Sequence, residues 1–499
     1  MMVPTSTVRV QPILRDGSLT RESAGGKAWG IQRMLTLGIP VPPAFVVTTE
    51  VCRAYHAGGR ALPAAVLDEV RAAMVHLEDA TGRQFGGTER PLLVSVRSGA
   101  AVSMPGMMDT VLNLGMTTAI QEALATETVD PAYANDTRRR FLEQFENVVQ
   151  TTPPEDPWAQ LDLAIRAVLD SWHSTRAIAY RRSRGLDDDA GTAVTVQAMV
   201  FGNLDDASGT GVLFSRDPLS GNPAPYGEWL PRGQGEEIVS GRADARPLDA
   251  LAAHLPSAHD ELLAAARVLE HDARDVQDIE FTVQSGALWL LQTRSAKRTP
   301  RAALRCAIDL QRDGVLSVAE ALDRVSAEQL RALLRPSLDP SAVSASPPVA
   351  AGKPACPGIA TGVVVTDADE AERRADEGEA VILARPTTDP DDVAGMSAAV
   401  AVVTELGGAT SHAAVVCREM AVPCVVGCGV DTVTALAGKI ATVDADTGTV
   451  YLGELPVRTP VAAEDPDLVL FAGWLRDALG DSEADVVKIK ERHQQRGGL

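Results

Sequence analysis

The sequence predicts a multidomain α/β protein, from its length, its alternating strand and helix patterns, and a sharp change in composition. The chain has 499 residues, more than one hydrophobic core usually serves. The β-branched apolar runs 92–98 and 192–202 are typical of buried strands, whereas the run 161–183 repeats its apolar residues at helical spacing. Strands and helices that alternate along one chain are typical of α/β folds.

The change in composition falls at residues 336–352, which are rich in Pro, Ala and Ser and lack a periodic apolar pattern. Such a stretch predicts an exposed linker, and a second Pro-rich stretch covers 456–467. We therefore predict a domain over 1–335, a linker over 336–352, a module over 353–455, and a linker with a short helical tail over 456–499. A module between two tethers is suited to visiting two places, although an ordinary pair of interdomain linkers gives the same pattern.

The overall charge excludes some classes of partner. The formal net charge is −21, which disfavours binding to nucleic acid or to an anionic membrane. No apolar run reaches the roughly 18–20 residues of a membrane span, and the N-terminus lacks the apolar segment of a secretion signal. We therefore expect a cytoplasmic protein whose six cysteines are reduced. Cys417, Cys424 and Cys428 lie in helix-like and strand-like runs, which favours buried thiols over a metal site.

A histidine at a predicted helix start is the first candidate for chemistry. In TELGGATSHAAVVCREM, residues 404–420, two glycines allow a tight turn and Ser411 is a natural N-cap. Apolar residues then recur at the spacing of a buried helix face. His412 therefore lies in the first helical turn, where backbone N–H groups and the helix dipole favour an anion. A neutral imidazole is a good nucleophile near pH 7, but a histidine that only packs at a helix start would show the same local pattern.

Two glycine-rich segments carry cations. Lys27 follows two glycines in GGKAWG, and Arg97 ends a strand before a loop of small residues that includes Gly99 and Gly106. Small residues let backbone N–H groups approach phosphate oxygens, and an arginine offers a planar fork to a phosphate. Glycine-rich loops often only turn the chain, so each segment alone is a weak signal for phosphate binding.

A predicted β-hairpin carries oxygen ligands. The run 280–294 is interpreted as two strands joined by a glycine-containing turn at 284–287. Asp278 and Glu280 share one strand face, and Gln292 and Arg294 share a face of the returning strand. Carboxylate and amide oxygens suit Mg²⁺, with Arg294 balancing the charge. An exposed ladder of ion pairs is the alternative interpretation, but the apolar residues between them favour a hairpin in a core sheet.

Other polar and apolar groups could complete a nucleotide site. Gln197, Met199 and Val200 stand at the end of a predicted apolar strand, where backbone groups could read the edge of a base. Glu228 and Glu236 lie in glycine-punctuated segments, YGEWL and GQGEEIVSG.

Taken together, these strings resemble the pyruvate, phosphate dikinase family. The resemblance runs from GGKAWG at 25 to about 455, through RSGAAVSMPGMMDT, GTAVTVQAMVFGN, SGTGVLFSRDP, QDIEFTV, LQTRSAKRT and GGATSHAAVV. It implies an ATP-grasp-type nucleotide-binding domain followed by a swivelling phosphohistidine domain. It also implies an enzyme that uses ATP and Mg²⁺, with inorganic phosphate as a further partner, and that forms a phosphohistidine.

The resemblance implies a role for each matched position. His412 would be phosphorylated, with Lys27, Arg97 and Arg294 on the ATP phosphates and the loop 103–107 closing over them. The adenine would face Gln197, Met199 and Val200, with Glu228 and Glu236 nearby and Asp278 also in the ATP site. The Mg²⁺ would be held by Asp278, Glu280 and Gln292.

One departure from the family changes the expected acceptor. Members carry a C-terminal barrel that binds pyruvate or phosphoenolpyruvate, and a (β/α)₈ barrel takes about 250 residues, so we expect none here. The acceptor would then be pyruvate on a separate protein or another small molecule. The alternatives are a regulatory nucleotide-binding protein without turnover and a phosphocarrier that serves a protein docked on the C-terminal helices.

Overall fold

The computed structural model describes residues 9–102, 104, 106–239, 245–334, 337–458, 461–480 and 485–495. Six side chains within these ranges lie outside the description: Ser183, Glu236, Val239, Ser337, Pro340 and Arg458. The described chain is a mixed α/β structure, as predicted, and forms two compact units. The first unit comprises 1–209 and 280–294, and the second comprises 210–279 and 295–499. The predicted division into 1–335 and 353–455 stays a prediction.

The first unit is built on an antiparallel sheet in the order β1-β2-β7-β5-β6. Its elements up to residue 209 are β1 (Val10–Pro12), α1 (Arg21–Thr36), β2 (Ala44–Val47), α2 (Thr49–Ala57), α3 (Ala64–Thr81), β3 (Gln84–Phe85), β4 (Pro91–Leu92), β5 (Val94–Gly99), β6 (Thr110–Leu114), α4 (Thr118–Thr128), α5 (Pro131–Val149), α6 (Pro157–Ser171), α7 (Thr175–Arg184) and β7 (Ala193–Ala198). The predicted strands 92–98 and 192–202 correspond to β5 and β7. The predicted helical run 161–183 is broken into α6 and α7, because Ser174 caps the second helix.

The chain then enters the second unit and returns to the first. The elements are β8 (Gly209–Phe214), β9 (Tyr226–Pro231), α8 (Gly235–Val239), β10 (Arg246–Pro247), α9 (Asp249–His254), α10 (Pro256–Ala273), β11 (Gln277–Gln284) and β12 (Ala287–Ser295). The boundary between the units passes through β11, between Ile279 and Glu280. The hairpin prediction is confirmed, with the turn at Ser285–Gly286.

The remaining elements belong to the second unit. They are α11 (Pro300–Arg312), α12 (Val318–Asp323), α13 (Ala327–Leu333), β13 (Ser337–Leu338), α14 (Pro340–Ala345), β14 (Ala350–Ala351), β15 (Lys353–Cys356), β16 (Ile359–Val365), α15 (Ala368–Asp376), β17 (Val381–Arg385), α16 (Val393–Ala398), β18 (Ala401–Thr404), α17 (His412–Met420), β19 (Cys424–Val426), β20 (Ile440–Asp444), β21 (Thr449–Leu452), β22 (Val457–Arg458), α18 (Pro466–Leu479) and α19 (Val486–Gln495). Short 3₁₀ turns lie at Pro390–Asp392, Thr434–Leu436 and Ala462–Glu464.

The segment from β14 to β21 folds around an eight-stranded sheet in the order β14-β21-β20-β16-β17-β18-β19-β15. Strands β16 to β19 run parallel, with the helices α15, α16 and α17 in their crossovers. One buried cluster joins the sheet to these helices through Ala371, Met396 and Ala413. A second cluster includes Val433 and Leu436. Both clusters draw residues from the same strands, so the sheet is buried on two faces, which suits its continuous apolar strands.

The two predicted linkers are more ordered than their composition indicates. β13 pairs with β22, placing Leu338 opposite Val457, and the Asp339 N–H donates to the Pro456 carbonyl at 2.8 Å. The segment 336–352 also contains α14 and β14. Neither stretch has an apolar period, yet each supplies backbone partners to the other, which is how buried peptide groups are satisfied.

The C-terminal helices pack against other helices of their own unit. Phe471 and Leu475 of α18 and Ile489 of α19 are buried in one core with residues of α11, α12 and α13. Their apolar faces therefore stabilise the second unit. Within the described ranges, no helix combines the length and the apolarity that crossing a bilayer requires.

Candidate functional site

The two glycine-rich segments of the first unit contact each other. Gly25 interrupts α1 with a φ of 72°, and a Cβ there would lie 1.8 Å from the Gly99 carbonyl oxygen. Only glycine accepts both the left-handed conformation and this approach. The Gly26 N–H donates to the Ala100 carbonyl at 2.9 Å. Segments distant in the chain thus form one backbone surface beside Lys27.

Basic side chains beside this surface donate hydrogen bonds to nearby oxygen atoms. Lys27 Nζ donates to the Ser98 carbonyl at 2.7 Å. Arg97 Nη2 donates to Glu280 Oε2 at 3.1 Å and to Gln292 Oε1 at 3.2 Å. The strand β5 thus brings Arg97 to the hairpin, and four predicted site residues of the first unit meet in one cluster.

The cluster shifts the pKa of two of its members. Burial, reinforced by the positive charges of Arg97 and Arg294 and opposed by Glu280, lowers the pKa of Lys27 to about 7. Burial would raise the pKa of Glu280, but Arg97, Arg294 and Lys27 outweigh it, so that pKa is lowered. Three basic side chains whose charges act on one carboxylate are suited to an anionic ligand such as a phosphate chain.

The hairpin oxygens fit a Mg²⁺ ion. Glu280 and Gln292 both bond to the same Arg97 nitrogen, so their oxygens converge. In the described part of the chain, no three His, Cys, Asp or Glu side chains form a group that could hold a metal. Mg²⁺ is commonly bound by one or two carboxylates together with substrate phosphates, so a small oxygen set is what it requires. Asp278 is buried on the same strand and belongs to the second unit; its metal role stays a prediction.

The residues predicted to face an adenine stand at the end of β7. Gln197 is buried, and its side-chain Nε2 donates to the Pro42 carbonyl at 3.1 Å. The Met199 N–H donates to the Leu93 carbonyl, while the Met199 and Val200 side chains are half-buried. Met199 and Val200 thus keep exposed apolar surface, whereas the Gln197 amide is engaged within the unit. Base recognition by these three residues stays a prediction.

In the second unit, His412 begins α17 as predicted. Ser411 caps the helix with its hydroxyl oxygen, and Ala413, Val416 and Cys417 form the buried stripe. The His412 Nδ1 lies 3.2 Å from the Thr388 hydroxyl. The opposite nitrogen, Nε2, is buried and has no hydrogen-bond partner among the residues that the structure describes. One ring nitrogen is therefore held, while the other has no hydrogen-bond partner in the described part of the chain.

The environment keeps the His412 ring neutral. Burial lowers its pKa below the usual value, and the negative charge of Asp389 only partly opposes this. The imidazole is therefore uncharged at pH 7 and above. If Nδ1 carries the proton and donates it to Thr388, Nε2 presents a lone pair.

The loop before His412 rests on a glutamate of β9. The Thr410 hydroxyl donates to Glu228 Oε2 at 2.6 Å, and both side chains are buried. A Cβ at Gly408 would lie 2.5 Å from Glu228 Oε1, so a larger residue there would displace the glutamate side chain. The predicted place of Glu228 beside an adenine stays a prediction. Glu236 lies in α8, and its side chain is outside the described residues, as are Ser103 and Pro105 of the predicted closing loop.

The sequence analysis missed Thr388 and the pairing of Thr410 with Glu228. Thr388 follows the parallel strand β17, next to β18, from which the chain leads to His412. Since ligands gather beyond the carboxyl ends of parallel strands, the polar run TTDPDD after β17 was the signal that could have identified it.

These two sets of residues define a class of protein: an α/β protein with a cluster of basic side chains and a neutral histidine at a helix start, features typical of a phosphohistidine phosphotransferase. Residues 58–249 match the family described as pyruvate phosphate dikinase, AMP/ATP-binding domain, and residues 377–448 match the PEP-utilising enzyme, mobile domain. The chain belongs to the pyruvate, phosphate dikinase family.

Individual relatives agree with this assignment. The chain is 39% identical to pyruvate, phosphate dikinase of Clostridium symbiosum, over 88% of this chain and 57% of the relative. It is 40% identical to pyruvate, phosphate dikinase 2 of Zea mays, over 92% of this chain and 58% of the relative. It is also 40% identical to the enzyme of Rhizobium meliloti, over 89% of this chain and 57% of the relative. The chain thus spans less than two thirds of the length of these relatives.

Proposed function

We propose that the chain is an ATP-dependent phosphotransferase in which His412 takes a phosphoryl group from ATP and passes it to an acceptor. The observation that carries the proposal is the asymmetry of the His412 ring. Nδ1 is held 3.2 Å from Thr388, while Nε2 is buried without a partner among the described residues. A ring fixed through one nitrogen presents the other as an oriented nucleophile.

In the proposed step, Nε2 of the neutral ring forms a bond to the β-phosphorus as the bond to the oxygen of AMP breaks. The γ-phosphoryl group is at first still attached to the β-phosphoryl group on His412. Inorganic phosphate or water then attacks the γ-phosphorus, the bond between the β- and γ-phosphoryl groups breaks, and the β-phosphoryl group stays on the histidine. The backbone N–H groups at the start of α17 then lie beside the new phosphoryl group, where the helix dipole favours negative charge. The Thr388 hydroxyl oxygen accepts a hydrogen bond from the Nδ1–H and keeps the ring in place.

The first unit would hold the nucleotide. Lys27, Arg97 and Arg294 would bind the phosphate chain, because the positive charges of all three act on Glu280 within one cluster. Glu280 and Gln292 would hold Mg²⁺. A bound Mg²⁺ would neutralise charge on the transferring phosphoryl oxygens. Positioning and charge neutralisation, rather than covalent chemistry by these side chains, would provide the rate enhancement.

The acceptor is either pyruvate, bound by a separate protein or domain, or a different small molecule. The names of the relatives support pyruvate. The unpaired Nε2 supports either, since a phosphohistidine transfers its group to whatever oxygen nucleophile is placed in line with it.

Labelled ATP tests the proposal. With ATP labelled at the β-phosphorus, the protein is expected to become labelled, with release of AMP and with the acid lability of a phosphohistidine. With ATP labelled at the γ-phosphorus, the label should stay on the protein only until inorganic phosphate or water removes the γ-phosphoryl group. Unloading of the β-label is then screened against pyruvate and other candidate acceptors. A γ-label that persists when inorganic phosphate is added, or no labelling by either nucleotide, would contradict the proposal.

The low pKa of Lys27 predicts that nucleotide binding takes up a proton. The amine is about half neutral at pH 7 in the nucleotide-free protein, and phosphate charges would raise its pKa towards its ordinary value. Between pH 7.5 and 9 we therefore expect uptake of up to about one proton per ATP, and an affinity that falls by up to about tenfold per pH unit. Calorimetry in buffers of different ionisation enthalpy measures the uptake.

Lys27→Arg is the matched control, because guanidinium stays charged throughout this range. Its ATP binding should show little pH dependence and no uptake beyond that of the nucleotide itself. Equal uptake by both proteins would assign the proton to another group. The same shift predicts that the free energy of unfolding rises with pH above 7, because the unfolded chain then binds more protons at this lysine than the folded chain does.

A further inference from the structure

The segment just before His412 is fixed between two neighbouring loops. On one side, the Glu405 and Leu406 N–H groups donate to the carbonyls of Arg385 and Pro386, both at 3.0 Å. On the other side, the Gly429 N–H donates to the Glu405 carbonyl at 2.9 Å. Both neighbouring loops, the one that supplies Thr388 and the one after β19, therefore form hydrogen bonds with Glu405. The segment from Glu405 to Ser411, which leads to His412, is called the histidine loop below.

The Glu405 side chain adds a second attachment. The carboxylate is 3% exposed and accepts hydrogen bonds from the Thr434 hydroxyl and, at 3.2 Å, from the Thr434 N–H. Burial would raise its pKa, but the Thr434 hydroxyl and the N–H groups of Asp431, Thr434 and Val433 outweigh burial and lower that pKa. The carboxylate is therefore ionised and serves as the common acceptor for one turn, residues 431–434.

The chain just before this turn packs tightly against the histidine loop. Gly427 has a φ of 70°, and a Cβ there would lie 2.8 Å from the Gly407 carbonyl oxygen. Gly407 has a φ of 111°, and a Cβ there would lie 3.2 Å from the Ser411 side chain. Ser411 caps the helix that begins at His412. Because the backbone is packed this closely, a displacement of the 427–434 loop would also displace Gly407, and with it Ser411 and the imidazole.

We propose that Glu405 is a positioning residue for phosphoryl transfer, which holds the Gly407–Gly408 turn, and through it His412, in the geometry that the reaction needs. Glu405 does not contact the imidazole in the described structure; it acts through the 427–434 loop and the backbone of its own segment. The inference rests on the proposed function, because it assigns to Glu405 a part in the chemistry of His412.

The first test measures the rate of phosphohistidine formation from β-labelled ATP in the full chain. Glu405→Gln keeps the shape but removes the charge that several N–H groups share. A displacement of about 1 Å can cost about 10²-fold in rate. We therefore expect kcat for this half-reaction to fall by about 10- to 100-fold, with the KM for ATP within about twofold, because the proposed ATP contacts are untouched. Thr434→Val should lower kcat less, and the double variant should be no slower than Glu405→Gln alone.

Two control variants separate positioning from loss of stability. Glu379→Gln removes an exposed carboxylate paired with Arg374 in the same sheet module, and should leave kcat unchanged. Val450→Ala removes buried methyl groups from β21 and should lower the melting temperature without the fall in kcat. If Val450→Ala lowers kcat as much as Glu405→Gln does at equal loss of stability, Glu405 is merely structural and the inference is overturned.

Nuclear magnetic resonance of the unphosphorylated protein gives a readout that is independent of catalysis. In ¹⁵N-histidine-labelled protein, the His412 signals are assigned by their loss in His412→Asn. A loosened loop would expose the imidazole, so Glu405→Gln should raise the pKa of His412 towards 6.5 and change the Nδ1 shift. An unchanged His412 titration would overturn the inference. If the wild-type chain forms no phosphohistidine, the proposed function fails, and the titration still reports whether Glu405 positions the ring.

Discussion

His412→Asn is expected to abolish the acid-labile phosphoprotein formed from β-labelled ATP. Asparagine has a similar size and can keep the contact with Thr388, but its side-chain amide is not a nucleophile. Loss of a covalent nucleophile typically costs 10³-fold or more, which is below detection in a labelling assay. The measurement is the label that stays with the protein after denaturation in base, where phosphohistidine survives.

His254→Asn is the matched control for this experiment, because His254 is an exposed histidine on α9 of the same unit. Its labelling should equal that of the wild type. ATP binding by His412→Asn should also be unchanged, since the proposed ATP contacts lie in the first unit. Label retained by His412→Asn would show that a different side chain carries the phosphoryl group.

Arg97→Met is expected to slow formation of the phosphohistidine by about 10²- to 10³-fold, the usual effect of removing one charged donor from a transition state. Arg97 also bonds to both Glu280 and Gln292. Its loss would remove a phosphate ligand and, in addition, leave these oxygens less well oriented for Mg²⁺. Rapid-quench measurement of the labelled protein at saturating ATP isolates this step from binding.

Arg83→Met provides the comparison. Arg83 belongs to the same unit and is paired with Glu127 in a partly exposed ion pair, which typically contributes less than about 1 kcal/mol. The Arg83→Met rate should lie within about twofold of the wild type. Arg97→Lys should fall between the two, because a lysine keeps the charge but not the planar fork. Equal rates for Arg97→Met and Arg83→Met would exclude Arg97 from the site.

The sequence predicted features whose cause is local in the chain. The start of α17 follows from Ser411 and its apolar stripe, and the hairpin follows from its alternation and its glycine turn. It also identified two glycine-rich segments as candidates for phosphate binding, but not that Gly25 lies against Gly99. Pattern alone could not show that contact, because the requirement at each glycine is a neighbour distant in the chain.

Contacts that depend on the arrangement of the strands were not predicted from the sequence. Thr388 and His412 are 24 residues apart and meet because β17 and β18 run parallel. Glu228 and Thr410 are 182 residues apart and meet through packing. The two predicted linkers are a further case. Their composition predicts exposed linkers, and it gives no sign of the two-residue backbone pairing between β13 and β22, which depends little on side-chain type.

The pairing of β13 with β22 has a topological consequence. The strand that leads into the eight-stranded module and the strand that leaves it lie side by side, so the module begins and ends at one place. For the rest of the second unit, everything between Asp339 and Pro456 is equivalent to a single long loop inserted at a hairpin. A short turn joining Leu338 to Val457 would close the remaining chain without stretching it. In its connectivity the module is thus an insertion into the second unit, with the helices α11 to α13 before it and α18 and α19 after it.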